Sequence, residues 1–156
     1  MPILYRIIRD KYRHNPLSTE GSRLFGGRWN PKGVAVLYAT STPELGLIET
    51  LAHAPAIRYE DLPAYWVFSL DVPDDIRYYK REELPAYWQD DTYERTQTWL
   101  SSWLAAPDQL AVAVPSVLVP LSYNIILHPA HSRFSEIQVI AQEIQPVDRR
   151  LWRLPV

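Results

Sequence analysis

Cysteine is absent from the 156 residues, which excludes disulfide scaffolds, thiolate zinc sites and cysteine nucleophiles. Lysine is scarce: only Lys11, Lys32 and Lys80 accompany 13 arginines. There is no excess of positive charge, since 16 basic residues face 18 acidic ones for a net charge of −2, so direct nucleic-acid binding is not the expected role. Glycine numbers five, too few for a glycine-rich low-complexity chain. Long apolar runs are missing as well. The longest, Leu110 to Leu121, is short and interrupted by Pro115 and Pro120, which argues against a membrane span. Arg6 and Arg9 interrupt the opening MPILYRIIRD where a signal peptide would need an apolar core. These absences lead to the expectation of a cytoplasmic protein.

What is present is ordinary in bulk: 47% hydrophobic and 22% charged residues in a length suited to one domain spanning residues 1–156. The charge is unevenly spread. Residues 1–28 carry six cations and two anions, whereas residues 44–94 carry twelve anions and four cations. A solvated acidic face accounts for the second block, and the arginine-rich first block is a candidate anion site, because the guanidinium fork suits phosphates and carboxylates.

Ile3 to Ile8 and Val34 to Ala39 read as strands, separated by a long turn-rich loop. Ser41-Thr42-Pro43-Glu44 has the form of a helix start, and the helix should run to about His53, before Pro55. Tyr65 to Val72 is a third strand. Asp90 to Ala105 has helical spacing, and Leu110 to Val114, Val117 to Val119 and Ile137 to Ile144 complete the β elements. Strands at both ends with helices between them give an α+β fold.

Several residues could carry chemistry. Glu49 lies at the edge of a helical stripe formed by Leu45, Ile48, Leu51 and Ala52, so it either bends to solvent or is held at the mouth of a pocket. Phe25 to Asn30 (FGGRWN) is a tight glycine turn carrying Arg28, which alone is a weak phosphate-loop signal. Tyr38 closes a strand beside a helix start, where clefts form. Ser116 stands in an apolar VPSV segment, and its hydroxyl must find a partner. His128 and His131 in HPAH have workable metal spacing, but Pro129 breaks the helix that would aim them together, so solvated turn histidines and no metal site are expected. His14 and His53 stand alone.

The ordered set YRI (Tyr5 to Ile7), GGRWN (Gly26 to Asn30), LYAT (Leu37 to Thr40), LIETLAH (Leu47 to His53), VPS (Val114 to Ser116) and NIILHPAH (Asn124 to His131) resembles the RES-domain family. These are toxins of bacterial toxin–antitoxin pairs, named for arginine, glutamate and serine positions. One departure is His128, where the family tends to have asparagine. The resemblance implies an ADP-ribosyltransferase-like split β-sheet core, consumption of NAD as substrate without a metal, and an Xre-like helix-turn-helix antitoxin as partner. It assigns Glu49, Arg28 and Ser116 to catalysis. Arg6 and Arg28 would hold pyrophosphate or ribose, Tyr38 would stack on nicotinamide, Ser116 would orient Glu49, and Asn124 would support the pocket. The implied reaction is NAD hydrolysis or phosphorolysis. The alternatives are mono-ADP-ribosylation of a protein and a non-catalytic interaction module.

Overall fold

The computed structural model describes residues 2–153. The strands are β1 (Ile3–Arg9), β2 (Leu37–Thr40), β3 (Tyr65–Asp71), β4 (Ile76–Tyr78), β5 (Ala111–Pro115), β6 (Tyr123–Leu127) and β7 (Gln138–Gln145), and the helices are α1 (Glu20–Phe25), α2 (Pro43–His53), α3 (Glu94–Trp99) and α4 (Ser101–Ala105). The strands form one sheet in the order β4-β5-β6-β2-β1-β3-β7. Only β4 and β5 run parallel; the other neighbours are antiparallel. This is the α+β architecture that the sequence led us to expect.

The sheet is not uniformly zipped. β1 pairs with β3 along its whole length, from Ile3 opposite Asp71 to Arg9 opposite Tyr65. Its other edge meets β2 through one register pair, Tyr5 opposite Thr40. Two well-paired blocks, β4-β5-β6-β2 and β1-β3-β7, therefore splay apart beyond that point, and this is the split of the core. The groups left unpaired along the splayed edges are free to serve a site.

β5 and β6 are covered on both faces. Ala111, Ala113, Ile125 and Leu127 enter one core cluster, while Val112, Val114 and Ile126 enter another with Trp29, Trp88 and Trp103. Double burial explains the continuous apolar run at Ala111 to Val114, because neither side of the strand meets water.

Helix α2 begins at Pro43 with Thr42 as its N-cap, whose side chain accepts a hydrogen bond from the Leu45 N–H at 3.1 Å. It stops at His53 because Ala54, preceding Pro55, is extended. Gly46 is needed in its middle. A Cβ there would lie 3.1 Å from both Ile7 Cγ1 and Thr40 Oγ1, so the absence of a side chain lets α2 seat directly on the split.

Three expectations for secondary structure need correction. Val117 to Val119 is a turn, not a strand, since the Leu118 and Val119 N–H groups donate to Ser116 Oγ at 3.1 and 3.2 Å. The helix expected over Asp90 to Ala105 starts at Glu94 and breaks at Leu100, whose φ of −90° and ψ of 0° separate α3 from α4. The strand expected from Val34 begins only at Leu37. Two strands, β4 and β6, had not been anticipated.

Candidate active site

A cavity of about 650 Å³ opens at the split, lined by both halves of the sheet, the glycine turn and one face of α2. That helical face is Gly46, Glu49, Thr50 and His53, residues spaced i, i+3, i+4, i+7. The apolar stripe expected beside Glu49 is not the buried one throughout, since Ile48 is 44% exposed.

Glu49 is held rather than solvated. Its Oε1 accepts hydrogen bonds from Ser116 Oγ at 2.7 Å and Asn124 Nδ2 at 2.9 Å, and its side chain is 19% exposed. Ser116 is fully buried, and its oxygen accepts from the two backbone N–H groups of the following turn. With those lone pairs engaged, the hydroxyl hydrogen has one direction left, toward Glu49. Asn124 arrives from β6, one register position from the split, opposite Thr40. A carboxylate fixed by two side-chain donors is a preorganised negative charge.

Arg6 supplies the opposite sign. The residue is half-buried, its Nη1 donates to the Tyr38 carbonyl across the split, and its buried Nε has no partner. Burial lowers its pKa to about 10. Among the described residues no carboxylate lies within ion-pair distance of it. Desolvating a guanidinium without a counter-ion is costly, and the half-buried Arg6 lines the cavity, so an anionic ligand would complete it.

Tyr38 also lines the cavity. Its hydroxyl donates to Asn30 Oδ1 at 2.6 Å and accepts from the Trp29 N–H at 3.3 Å, and burial pushes its pKa far above the ordinary phenol value. Asn30 is in turn fully committed, with Nδ2 donating to the Ser22 and Val34 carbonyls at 2.9 Å each. Gly27 permits this packing, because a Cβ there would lie 2.9 Å from the Tyr38 hydroxyl. The preceding Gly26 has φ +69°, the left-handed backbone that the glycine pair led us to expect.

Arg28 follows in the same turn and lines the cavity. Its Nη1 donates to the carbonyls of Trp88 and Asp90 at 2.8 and 2.6 Å, and its guanidinium lies 4.7 Å from the Tyr93 ring centroid. Part of its bonding capacity is thus spent on tethering the 88–93 segment over the site. A second clasp on the turn was not foreseen from the sequence: Thr96 Oγ1 donates to the Arg28 carbonyl, and Gln97 Nε2 donates to the carbonyls of Gly27 and Asn30 at 2.8 and 3.2 Å. The available signal is the polar pair Thr96 and Gln97 on α3, set between the aromatic Tyr93 and Trp99.

The histidines require correction. His128 is not a solvated turn residue; it is 6% exposed, with Nε2 at 2.7 Å from the Leu104 carbonyl and Nδ1 accepting from the Ala130 N–H at 3.1 Å. His131 is also largely buried and sits 3.5 Å from Asp75. Both are structural ties. His53, expected to stand alone, shares the cavity with Glu49. No group of three or more His, Asp or Glu among the described residues could hold a metal ion.

The family model described as RES domain matches residues 3–153. The chain belongs to the RES domain family. A curated relative, "Toxin Res" of Yersinia enterocolitica, is 31% identical over 147 residues, covering 93% of each chain. Another, "Prs ADP-ribosylating toxin" of Sphingobium sp., is 32% identical over 135 residues, covering 81% of this chain and 82% of its own. Among solved structures, the M. tuberculosis MbcT-MbcA toxin–antitoxin complex contains a chain that matches with a TM-score of 0.76 at 21% identity, covering 92% of this RES domain and 84% of that chain. This last likeness establishes a shared fold.

Proposed function

We propose that this RES domain is the toxin of a toxin–antitoxin pair and that it takes NAD as substrate, breaking the nicotinamide–ribose bond and passing the ADP-ribosyl group to water or phosphate. The observation that carries this reading is the Glu49 carboxylate, fixed by Ser116 and Asn124 in a cavity that also holds the half-buried Arg6, whose Nε has no partner. Cleavage of a glycosidic C–N bond passes through an oxocarbenium-like state. Nicotinamide departs as a neutral molecule from a cationic ring, so no proton need be delivered to it. The enzyme has to stabilise the positive charge growing on the sugar, and a preoriented carboxylate does so without reorganising.

In this reading Arg6 receives the pyrophosphate, and Arg28 adds a second guanidinium when it exchanges its carbonyl partners for ligand oxygens. Tyr38, its hydroxyl anchored by Asn30, offers its ring face to nicotinamide. Ser116 and Asn124 keep the bonded oxygen of Glu49 in place while the other meets the ribose. Depletion of NAD would halt growth of the producing cell from within its cytoplasm, which requires a silencing partner. A helix-turn-helix antitoxin is that expected partner; the relatives named as toxins and the toxin–antitoxin complex among the solved structures support an antitoxin as such.

Transfer to a protein is the second reading, favoured by the name of the Sphingobium relative. Arginine-modifying transferases resemble one another in a second glutamate two residues before the catalytic one. Here that position is Leu47, which offers an acceptor nothing polar. The test is incubation of the purified protein with adenine-labelled NAD and a cell lysate. Label leaving as ADP-ribose or its phosphorylated derivative, in step with nicotinamide release, supports the first reading. Label retained in a protein band supports the second, and no nicotinamide release refutes both.

A further inference from the structure

The site described so far lacks a group to take a proton from the acceptor. An oxocarbenium-like sugar can be captured by a neutral nucleophile, but the new C1′–O bond leaves that oxygen positively charged until its proton departs. Glu49 is poorly placed for this duty. Its Oε1 already accepts from Ser116 and Asn124, and transferring a proton to the carboxylate would erase the charge that stabilises the sugar.

We infer that His53 is the proton acceptor for the attacking nucleophile, acting through Nε2. This rests on the reading of the cavity as an NAD-cleaving site. His53 stands one turn beyond Glu49 on the cavity face of α2. Its Nδ1 lies 2.7 Å from the Glu49 backbone carbonyl. A carbonyl oxygen can only accept, so Nδ1 carries the hydrogen, and in the uncharged ring Nε2 holds the free lone pair. One contact thus fixes both the tautomer and the ring's orientation.

The second relevant distance is 3.9 Å, from Nδ1 to Oε2 of the Glu49 carboxylate. When Nε2 takes a proton, the imidazolium formed lies beside that carboxylate. His53 is 72% exposed, so the ring can pass the proton on to bulk water after each turnover. The step balances as follows. The C1′–N bond breaks with its electron pair going to nicotinamide, the acceptor oxygen forms the C1′–O bond, and its proton moves to Nε2. An anionic nucleophile has no proton to lose, and it bypasses the residue.

That bypass supplies the test. Nicotinamide release from NAD is measured for wild type, His53→Gln and Glu49→Gln in phosphate-free buffer, with and without sodium azide. The expected result is at least a tenfold loss in His53→Gln with water alone, in line with the contribution of general-base catalysis. Azide should restore the rate, with ADP-ribosyl azide identified by mass spectrometry. Glu49→Gln should remain inactive with azide, because its defect precedes capture. Unchanged hydrolysis by folded His53→Gln overturns the inference while leaving the NAD reading intact. So does failure of azide to restore the rate, or a wild type that releases nicotinamide only when inorganic phosphate is added. A wild type that releases none under any condition refutes the NAD reading itself, and the role of His53 with it.

Discussion

Replacing Ser116 by alanine separates two functions that one oxygen performs. The hydroxyl accepts from the N–H groups of Leu118 and Val119 and donates to Glu49, all at a position with no solvent exposure. Removing it leaves two backbone donors without a partner, and each such loss costs about 1–3 kcal/mol unless the turn relaxes to water. Leu118 is 46% exposed and Leu121 92%, so the turn has room to relax and the lower end applies. We expect a total loss of roughly 1–3 kcal/mol, equivalent to a fall in Tm of roughly 3–10 °C for a domain of this size. Turnover should fall by about tenfold, because Glu49 keeps its bond from Asn124 but loses the one that fixes its rotamer on the other side.

Asn124→Ala is the comparison. It removes the second bond to Glu49 without touching the 116–119 turn, so activity should drop similarly with a smaller change in Tm. Nicotinamide release and thermal melts on both variants provide the assay. If Ser116→Ala loses stability but keeps full turnover, the serine is only a turn residue and the proposed orientation of Glu49 is wrong.

Arg6→Met should leave the fold as stable as wild type or more so, because it removes a partly desolvated charge without a counter-ion, yet abolish NAD binding by calorimetry. The pH dependence has a definite sign. Desolvation lowers the folded-state pKa of Arg6 from the ordinary guanidinium value to about 10, so between those two values the unfolded chain binds more protons, and this residue's contribution to stability rises as pH climbs through about 10. A ligand-free melt of wild type against Arg6→Met across that window checks it. Arg28→Lys should weaken NAD binding or cleavage at least tenfold while remaining folded, since an ammonium cannot keep two carbonyls, a ring stack and a ligand with one geometry; equal calorimetric affinity would make Arg28 a bystander. Gln97→Ala frees the carbonyls of Gly27 and Asn30 and should raise KM more than it lowers kcat, with Gln97→Glu failing to rescue because it presents oxygens to carbonyls.

Much of the framework was legible where local signals and burial agree. Ile3–Arg9 is a strand rich in β-branched residues, and Thr42-Pro43 starts a helix that Pro55 helps end. The misreadings arose where a distant residue decides. Val117 to Val119 has strand composition, but the Ser116 hydroxyl captures two of its N–H groups. His128 looks like a polar turn residue until the Leu104 carbonyl, 24 positions away, takes its ring nitrogen. The candidate site follows the same pattern. Its residue types were visible as a family resemblance, but Glu49 meets Ser116 and Asn124 across 67 and 75 residues, a convergence set by the splay of β1 from β2. His53 reads in the sequence as standing alone because its value depends on which helical face meets the cavity, and the apolar pattern of α2 points to a different stripe.

If the Glu49 carboxylate makes this cavity an NAD-cleaving site, Glu49→Gln is the decisive variant. The amide preserves the size of the side chain while deleting the charge that would face the oxocarbenium-like sugar. Free nicotinamide released from NAD should fall at least about a hundredfold, the scale of losing one preorganised electrostatic group, with the melt of the variant close to that of wild type. Wild-type rates of nicotinamide release from a folded Glu49→Gln protein would contradict the account.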